Sequence, residues 1–204
     1  TAVRVDPYTK QSCNHAVVHI YLIRATWISS ICRVLIPNLN PDGAAKSGTA
    51  GRFNANEVDL NRNFPYPPDG PDRVSDSAGS PDEKSMTHRG AYPFSEPETA
   101  SFDAFVAEHD FVLSLNYHTS GGMILYPPCT YPDREVYSPL MEDIAYAYQE
   151  RQFDKYAVYP GIDLYPTLGA LDDYLYHRYG ILAFTVEVGL EMESRVWSVH
   201  NQTF

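Results

Sequence analysis

Three apolar, β-branched runs in this chain stop abruptly at clusters of polar and turn-forming residues, and no other feature constrains the fold as much. Ile31 to Pro37 (ICRVLIP) runs into NLNPDG at 38–43, and Phe111 to Tyr117 (FVLSLNY) ends at His118 and Thr-Ser-Gly-Gly. Ile181 to Val188 (ILAFTVEV) carries a single acid, Glu187, near its end. Such runs read as buried strands. Helical periodicity lies between them, over Ser95–His109, Pro139–Gln152 and Leu168–Tyr179, and Met123–Tyr126 reads as one more short strand. Ser95 is placed to cap the first helix, with Pro97 in its first turn. Strands alternating with helices predict an α/β chain with a mixed, mostly parallel sheet flanked by helices. In such sheets the chemistry gathers beyond the carboxyl ends of the strands, which is where these polar clusters fall.

The 204 residues suit one domain, and 65–93, rich in Pro, Gly, Asp and Ser, reads as a long surface loop within it. Fifteen Lys and Arg against 26 Asp and Glu give a net charge of −11, the wrong sign for non-specific binding to nucleic acid or to an anionic membrane. The longest apolar stretch, Ala16 to Ile36, is broken by His19, Arg24, Ser29, Ser30 and Arg33, so it is not a membrane span, and nothing resembles a signal peptide. Cys13, Cys32 and Cys129 are an odd set without paired spacing, which implies neither a disulfide framework nor a cysteine zinc site.

Several residues carry chemistry by type and position. A carboxylate on a buried strand, Glu187, has its pKa raised by desolvation and suits a general base; alone it could equally pair with a buried Arg for structural reasons. His118, at a strand end before two glycines, suits a metal ligand or proton carrier, although a lone His is more often structural. In DLNRNF at 59–64 an amide, Asn61, stands beside a planar guanidinium, Arg62, a pair suited to gripping a carboxylate or to tying two loops together. Arg52 can supply a second cation that polarises a carbonyl, or remain a solvated loop residue.

Taken in order, NPDG at 40–43, GRFN at 51–54, DLNRNFP at 59–65, NYHTSGG at 116–122 and YPTLGALDDYLYHRYGILAFTVEVG at 165–189 resemble the zinc metallocarboxypeptidase family. Order and spacing together make the five motifs far more specific than any one of them. The resemblance implies an eight-stranded mixed sheet and one zinc ion held by two His and a Glu, with water in the open position. It implies hydrolysis of the last peptide bond of peptides or proteins. By motif match His118 resembles the last zinc ligand, Glu187 the general base and Arg52 the carbonyl-polarising Arg. Asn61 and Arg62 resemble the carboxylate clamp, and Tyr165 the capping Tyr. Asp172, seven positions after Tyr165, resembles the residue at the base of the side-chain pocket, and an acid there implies basic C-terminal residues. Its neighbour Asp173 leaves that register open. A secreted or periplasmic setting follows from the resemblance alone.

One part is missing. The family's His-x-x-Glu, which supplies the first two zinc ligands, occurs nowhere in the 204 residues. His15 and His19, four apart, could share a helix face but have no acid beside them. The chain also ends soon after Glu187, so the expectation is a domain partial at both ends. The alternatives are therefore a catalytically inactive member or fragment that binds peptide C-termini, and a cell-wall peptide hydrolase on the same scaffold.

Overall fold

The computed structural model describes residues 19–25, 31–46, 48–65, 78–131 and 139–189. Strands β1 (His19–Ala25), β2 (Ile31–Ile36), β3 (Phe111–Thr119), β4 (Met123–Tyr126), β5 (Ala157–Pro160) and β6 (Leu182–Val188) form one sheet in the order β2-β1-β3-β6-β4-β5. The helices are α1 (Pro41–Ala44), α2 (Pro97–Ala107), α3 (Pro139–Glu150) and α4 (Leu171–Tyr179). The α/β class, the mixed sheet and the flanking helices are as the sequence predicts. Within the sheet β3–β6 and β4–β5 pair parallel, whereas β1–β2, β1–β3 and β4–β6 pair antiparallel, so the described strands hold more antiparallel pairing than expected. The cause at β1–β2 is the short link between them, since a parallel neighbour requires a crossover of a dozen residues or more.

The two central strands alternate in character, and each of their faces meets a different helix layer. Leu113 and Leu115 of β3 join Phe184 of β6 in a cluster with Ile124, Tyr126, Met141 and Ala145, which buries one face of the sheet under α3. On the other side Phe64, Phe102, Val106, Leu171, Tyr174, Leu175 and Ala183 pack together, seating α2 and α4. Phe64 is the centre of that cluster, stacked on Tyr174 and edge-on to Phe94 and Phe102. Its position fixes the segment just before it, which contains Asn61 and Arg62.

Three details depart from the sequence reading. Ser95 does not cap α2; the cap position is Glu96, and the Ser95 hydroxyl donates to the Glu96 carboxylate at 2.7 Å. The last helix starts at Leu171 rather than Leu168, because residues 168 and 169 are held by loop contacts: Leu168 N–H donates to Ala78 O, and Gly169 O accepts from Phe64 N–H. His19 lies in β1, paired with Tyr117 of β3, so it cannot share a helix face with His15, which is outside the described residues. Of the expected loop at 65–93, residues 66–77 are likewise outside the described residues. The remainder holds no helix or strand, only an isolated bridge from Ser80 to His88.

Candidate active site

Parallel pairing of β3 and β6 puts His118 directly opposite Glu187, and Asn116 opposite Thr185. Because side chains alternate, these four project from one face near the carboxyl ends of both strands. The imidazole Nδ1 lies 3.8 Å from Glu187 Oε1. Burial, then the nearby Arg52, lowers the His118 pKa to about 4, so the ring is neutral at pH 7. Burial raises Glu187 to about 7, with Arg52 working against the rise and Asp172 adding to it. A carboxyl with that pKa accepts or returns a proton with little bias at neutral pH.

The loops before α2 bring the cations. Asn40 caps α1, its Oδ1 accepting from Gly43 N–H at 2.9 Å, and Asn40 Nδ2 donates to Arg52 O at 3.5 Å, at the end of a 3-10 turn. Arg52 Nε donates to Met86 O at 2.8 Å and its Nη2 to Asp59. Burial opposes the Arg52 charge, but the Asp59 carboxylate, with Tyr165 and Glu187, outweighs it and holds the guanidinium above its ordinary pKa. Asp59 divides its two oxygens: Oδ1 accepts from Asn61 N–H at 3.2 Å, while Oδ2 pairs with Arg52 and lies 3.6 Å from Arg62 Nη1.

Arg62 is 3% exposed; Nη1 donates to Asn61 O at 2.9 Å, while Nε and Nη2 have no hydrogen-bond partner among the described residues. The Asn61 side-chain oxygen accepts from Leu171 N–H at 2.9 Å, the first residue of α4, which leaves its NH2 group as the free end of the amide. Asn61 and Arg62 together therefore hold unused donors beside one another, suited to a carboxylate. Gly169 is required at its place: its φ is +67° and a Cβ there would come within 2.4 Å of Arg62 O.

All seven residues singled out from the sequence, Arg52, Asn61, Arg62, His118, Tyr165, Asp172 and Glu187, line one cleft that is partly open to solvent. Asn40, Asp59, Leu125, Cys129, Thr167 and Thr185 line it too. Of the two adjacent acids only Asp172 is in the lining; Asp173 turns away and accepts from Cys129 N–H at 2.9 Å and Thr130 Oγ1 at 2.9 Å. Burial raises Asp172 to about 7 despite hydrogen bonds from Thr185 and Asn116. Asn116, Thr185 and Asp59 were not picked out in the sequence, yet two of them sit two residues before His118 and Glu187 and so share their face. That spacing was the available signal.

One cleft against a mixed α/β sheet thus gathers two arginines, an amide with a free NH2 and two high-pKa acids, a donor set that suits a carboxylate. More specifically, the zinc carboxypeptidase model (Peptidase_M14) matches residues 25–201, and the chain belongs to that family. It is 32% identical to carboxypeptidase D of Anas platyrhynchos over 148 residues, covering 65% of this chain and 9% of that protein. Against carboxypeptidase D of Rattus norvegicus it is 30% identical over 173 residues, covering 76% and 10%. The crystal structure of carboxypeptidase A from Helicoverpa armigera superimposes with a TM-score of 0.61 at 25% identity, over 79% of this chain and 44% of that one. The chain thus spans about a tenth of the length of these carboxypeptidase D relatives and under half of that carboxypeptidase A.

The family's zinc needs several donor side chains converging on one point. Among the described residues no group of three or more His, Cys, Asp or Glu side chains stands close enough to hold an ion. His118 offers one imidazole, and Asp59 is already engaged by two guanidiniums. One imidazole does not fix a tetrahedral zinc site, so the described residues do not fit the expected ion.

Proposed function

We propose that the cleft is a receptor for the C-terminal end of a peptide, the substrate-gripping part of a carboxypeptidase site. The observation that carries this is the buried Arg62 with two unpartnered nitrogens beside the free end of Asn61. A buried guanidinium with unmade bonds is costly on its own, and an arriving carboxylate relieves that cost. Charge is compatible with the same reading: Arg52 and Arg62 offset Asp59 and the half-ionised Glu187 and Asp172, and His118 is neutral, so the cleft carries no net negative charge at pH 7. In this assignment Arg52 faces the terminal carbonyl, Tyr165 closes over the ligand and Asp172 meets a basic side chain. Glu187 is the group that takes up and returns a proton.

Hydrolysis of the terminal peptide bond is the activity expected of the family, and here it depends on metal donors other than those described. A peptide-binding member without turnover is the alternative reading. Calorimetric titration with Nα-acetyl-arginine and its C-terminal amide tests the receptor, run beside zinc stoichiometry and a peptide hydrolysis assay. Binding of the acid but not the amide is expected; equal binding of the two, or none, would overturn the assignment. About one zinc per chain together with turnover would restore the hydrolase.

A further inference from the structure

The side-chain end of the cleft contains a chain of four buried polar groups that runs across three elements. The Ser114 hydroxyl donates to Asn116 Oδ1 at 2.8 Å, Asn116 Nδ2 donates to Asp172 Oδ1, and Thr185 Oγ1 donates to Asp172 Oδ2 at 2.6 Å. Ser114 and Asn116 have no exposure at all, Asp172 is 3% and Thr185 6% exposed. Sheet register creates the arrangement: Asn116 and Thr185 are opposed residues of β3 and β6, and the first turn of α4 sets Asp172 against both.

Each bond has one direction in this structure. With its oxygen taken by Ser114, the Asn116 amide has only its NH2 to turn toward Asp172, and NH2 can only donate. Thr185 also donates, so both Asp172 oxygens serve as acceptors, which favours the ionised acid against the cost of burial. Around it stand Asp173 on α4, Glu187 on β6 and Cys129 after β4, all acids or a thiol, with Arg62 lining the same cleft. Among the described residues no Lys, Arg or His forms an ion pair with Asp172. The network thus prepares a carboxylate and leaves the place of its cation to the ligand.

We propose that Asn116 and Thr185, with Ser114 orienting the first, are specificity-determining residues that present Asp172 as a carboxylate and so select a cationic C-terminal side chain over a neutral one of the same shape. The proposal rests on the reading of the cleft as a receptor for peptide C-termini, and the test separates the two. The affinities of the 204-residue chain for Nα-acetyl-arginine and Nα-acetyl-citrulline are measured by calorimetry from pH 6 to 9. Both ligands use the same carboxylate grip, so their ratio cancels the titration of Glu187. The ratio is expected to favour arginine and to grow with pH as Asp172 ionises. Thr185→Val and Ser114→Ala should each lower it at pH 7, the former by about fivefold, because a rise of about one pKa unit from about 7 cuts the ionised fraction of Asp172 from about one half to about one tenth, and shift its rise to higher pH. Thr185→Ser should restore it. Ser114→Ala keeps the question open to measurement if Thr185→Val does not fold. An unchanged ratio and pH profile in both variants, with both ligands still bound, would overturn the proposal and leave the receptor standing. No binding of either ligand to the unaltered chain would overturn both.

Discussion

Replacing Arg62 with Met should strengthen the fold and weaken the proposed binding of a carboxylate, and the two effects follow from the same atoms. Two guanidinium nitrogens, Nε and Nη2, are buried without partners. Each unmade bond costs about 1–3 kcal/mol relative to hydration in the unfolded chain. Against this the substitution forfeits one charge-assisted bond from Nη1 to Asn61 O at 2.9 Å, worth about 1.5–3 kcal/mol. The contact with Asp59 is long, 3.6 Å, and Asp59 keeps its pairing with Arg52, so no carboxylate is left alone. Met retains the apolar stem. The balance favours Arg62→Met by about 2 kcal/mol in urea unfolding analysed by linear extrapolation. Loss of a buried partner for a ligand carboxylate costs about 2–5 kcal/mol, so affinity for Nα-acetyl-arginine should fall at least about 30-fold in calorimetry. A variant destabilised by more than about 2 kcal/mol without ligand would mean that the two nitrogens are satisfied in solution. Unaltered affinity would remove Arg62 from the site.

Other outcomes follow from the same geometry. Asp172 and Glu187 both titrate near 7 in the folded chain, above their ordinary values of 3.8 and 4.5, so the folded state holds more protons and stability falls as pH rises toward 7. His118, held at about 4, contributes the opposite slope between 4 and 6.5. Urea unfolding at pH 5 and pH 8 should show Asp172→Asn gaining about 3 kcal/mol on the unaltered chain between the two conditions; parallel pH profiles would refute the assignment. Gly169→Ala meets both a positive φ and the Arg62 carbonyl, and should cost more than about 2 kcal/mol in unfolding free energy while weakening ligand binding. Cys129 is buried and its thiol pKa is raised, by desolvation and then by Asp173 and Asp172. A disulfide reagent should therefore modify it slowly in native protein and rapidly in urea.

How much of this could be read beforehand depended on range along the chain. The strand ends and their polar residues were legible because period and turn chemistry are local: β4 coincides with Met123–Tyr126, and β2 and β6 begin or end within a residue of expectation. The ordered motifs carried the cleft residues, although none of them touches another in sequence. Asp59 was hidden because its task is set by two guanidiniums that only the fold brings to it. The orientation of Asn61 was equally invisible, being decided by Leu171 N–H 110 residues away. Likewise, Asp172 and Asp173 are indistinguishable as letters; the helix start at Leu171 turns the first toward the cleft and the second toward Cys129 and Thr130. The start itself depends on Gly169 and Leu168 being drawn into loop contacts that no helical period reveals.

The opposition of His118 to Glu187 has a consequence for how the molecule avoids misfolding. Moving β3 past β6 by one residue would exchange the chemical face for the apolar one. Ser114, Asn116 and His118 would then press into the layer of Phe184, Ile124 and Met141 beneath α3, while Leu113, Leu115 and Tyr117 would line an aqueous cleft. Both sides of the sheet would object at once, so the residues that give the cleft its chemistry also act as a check on strand alignment.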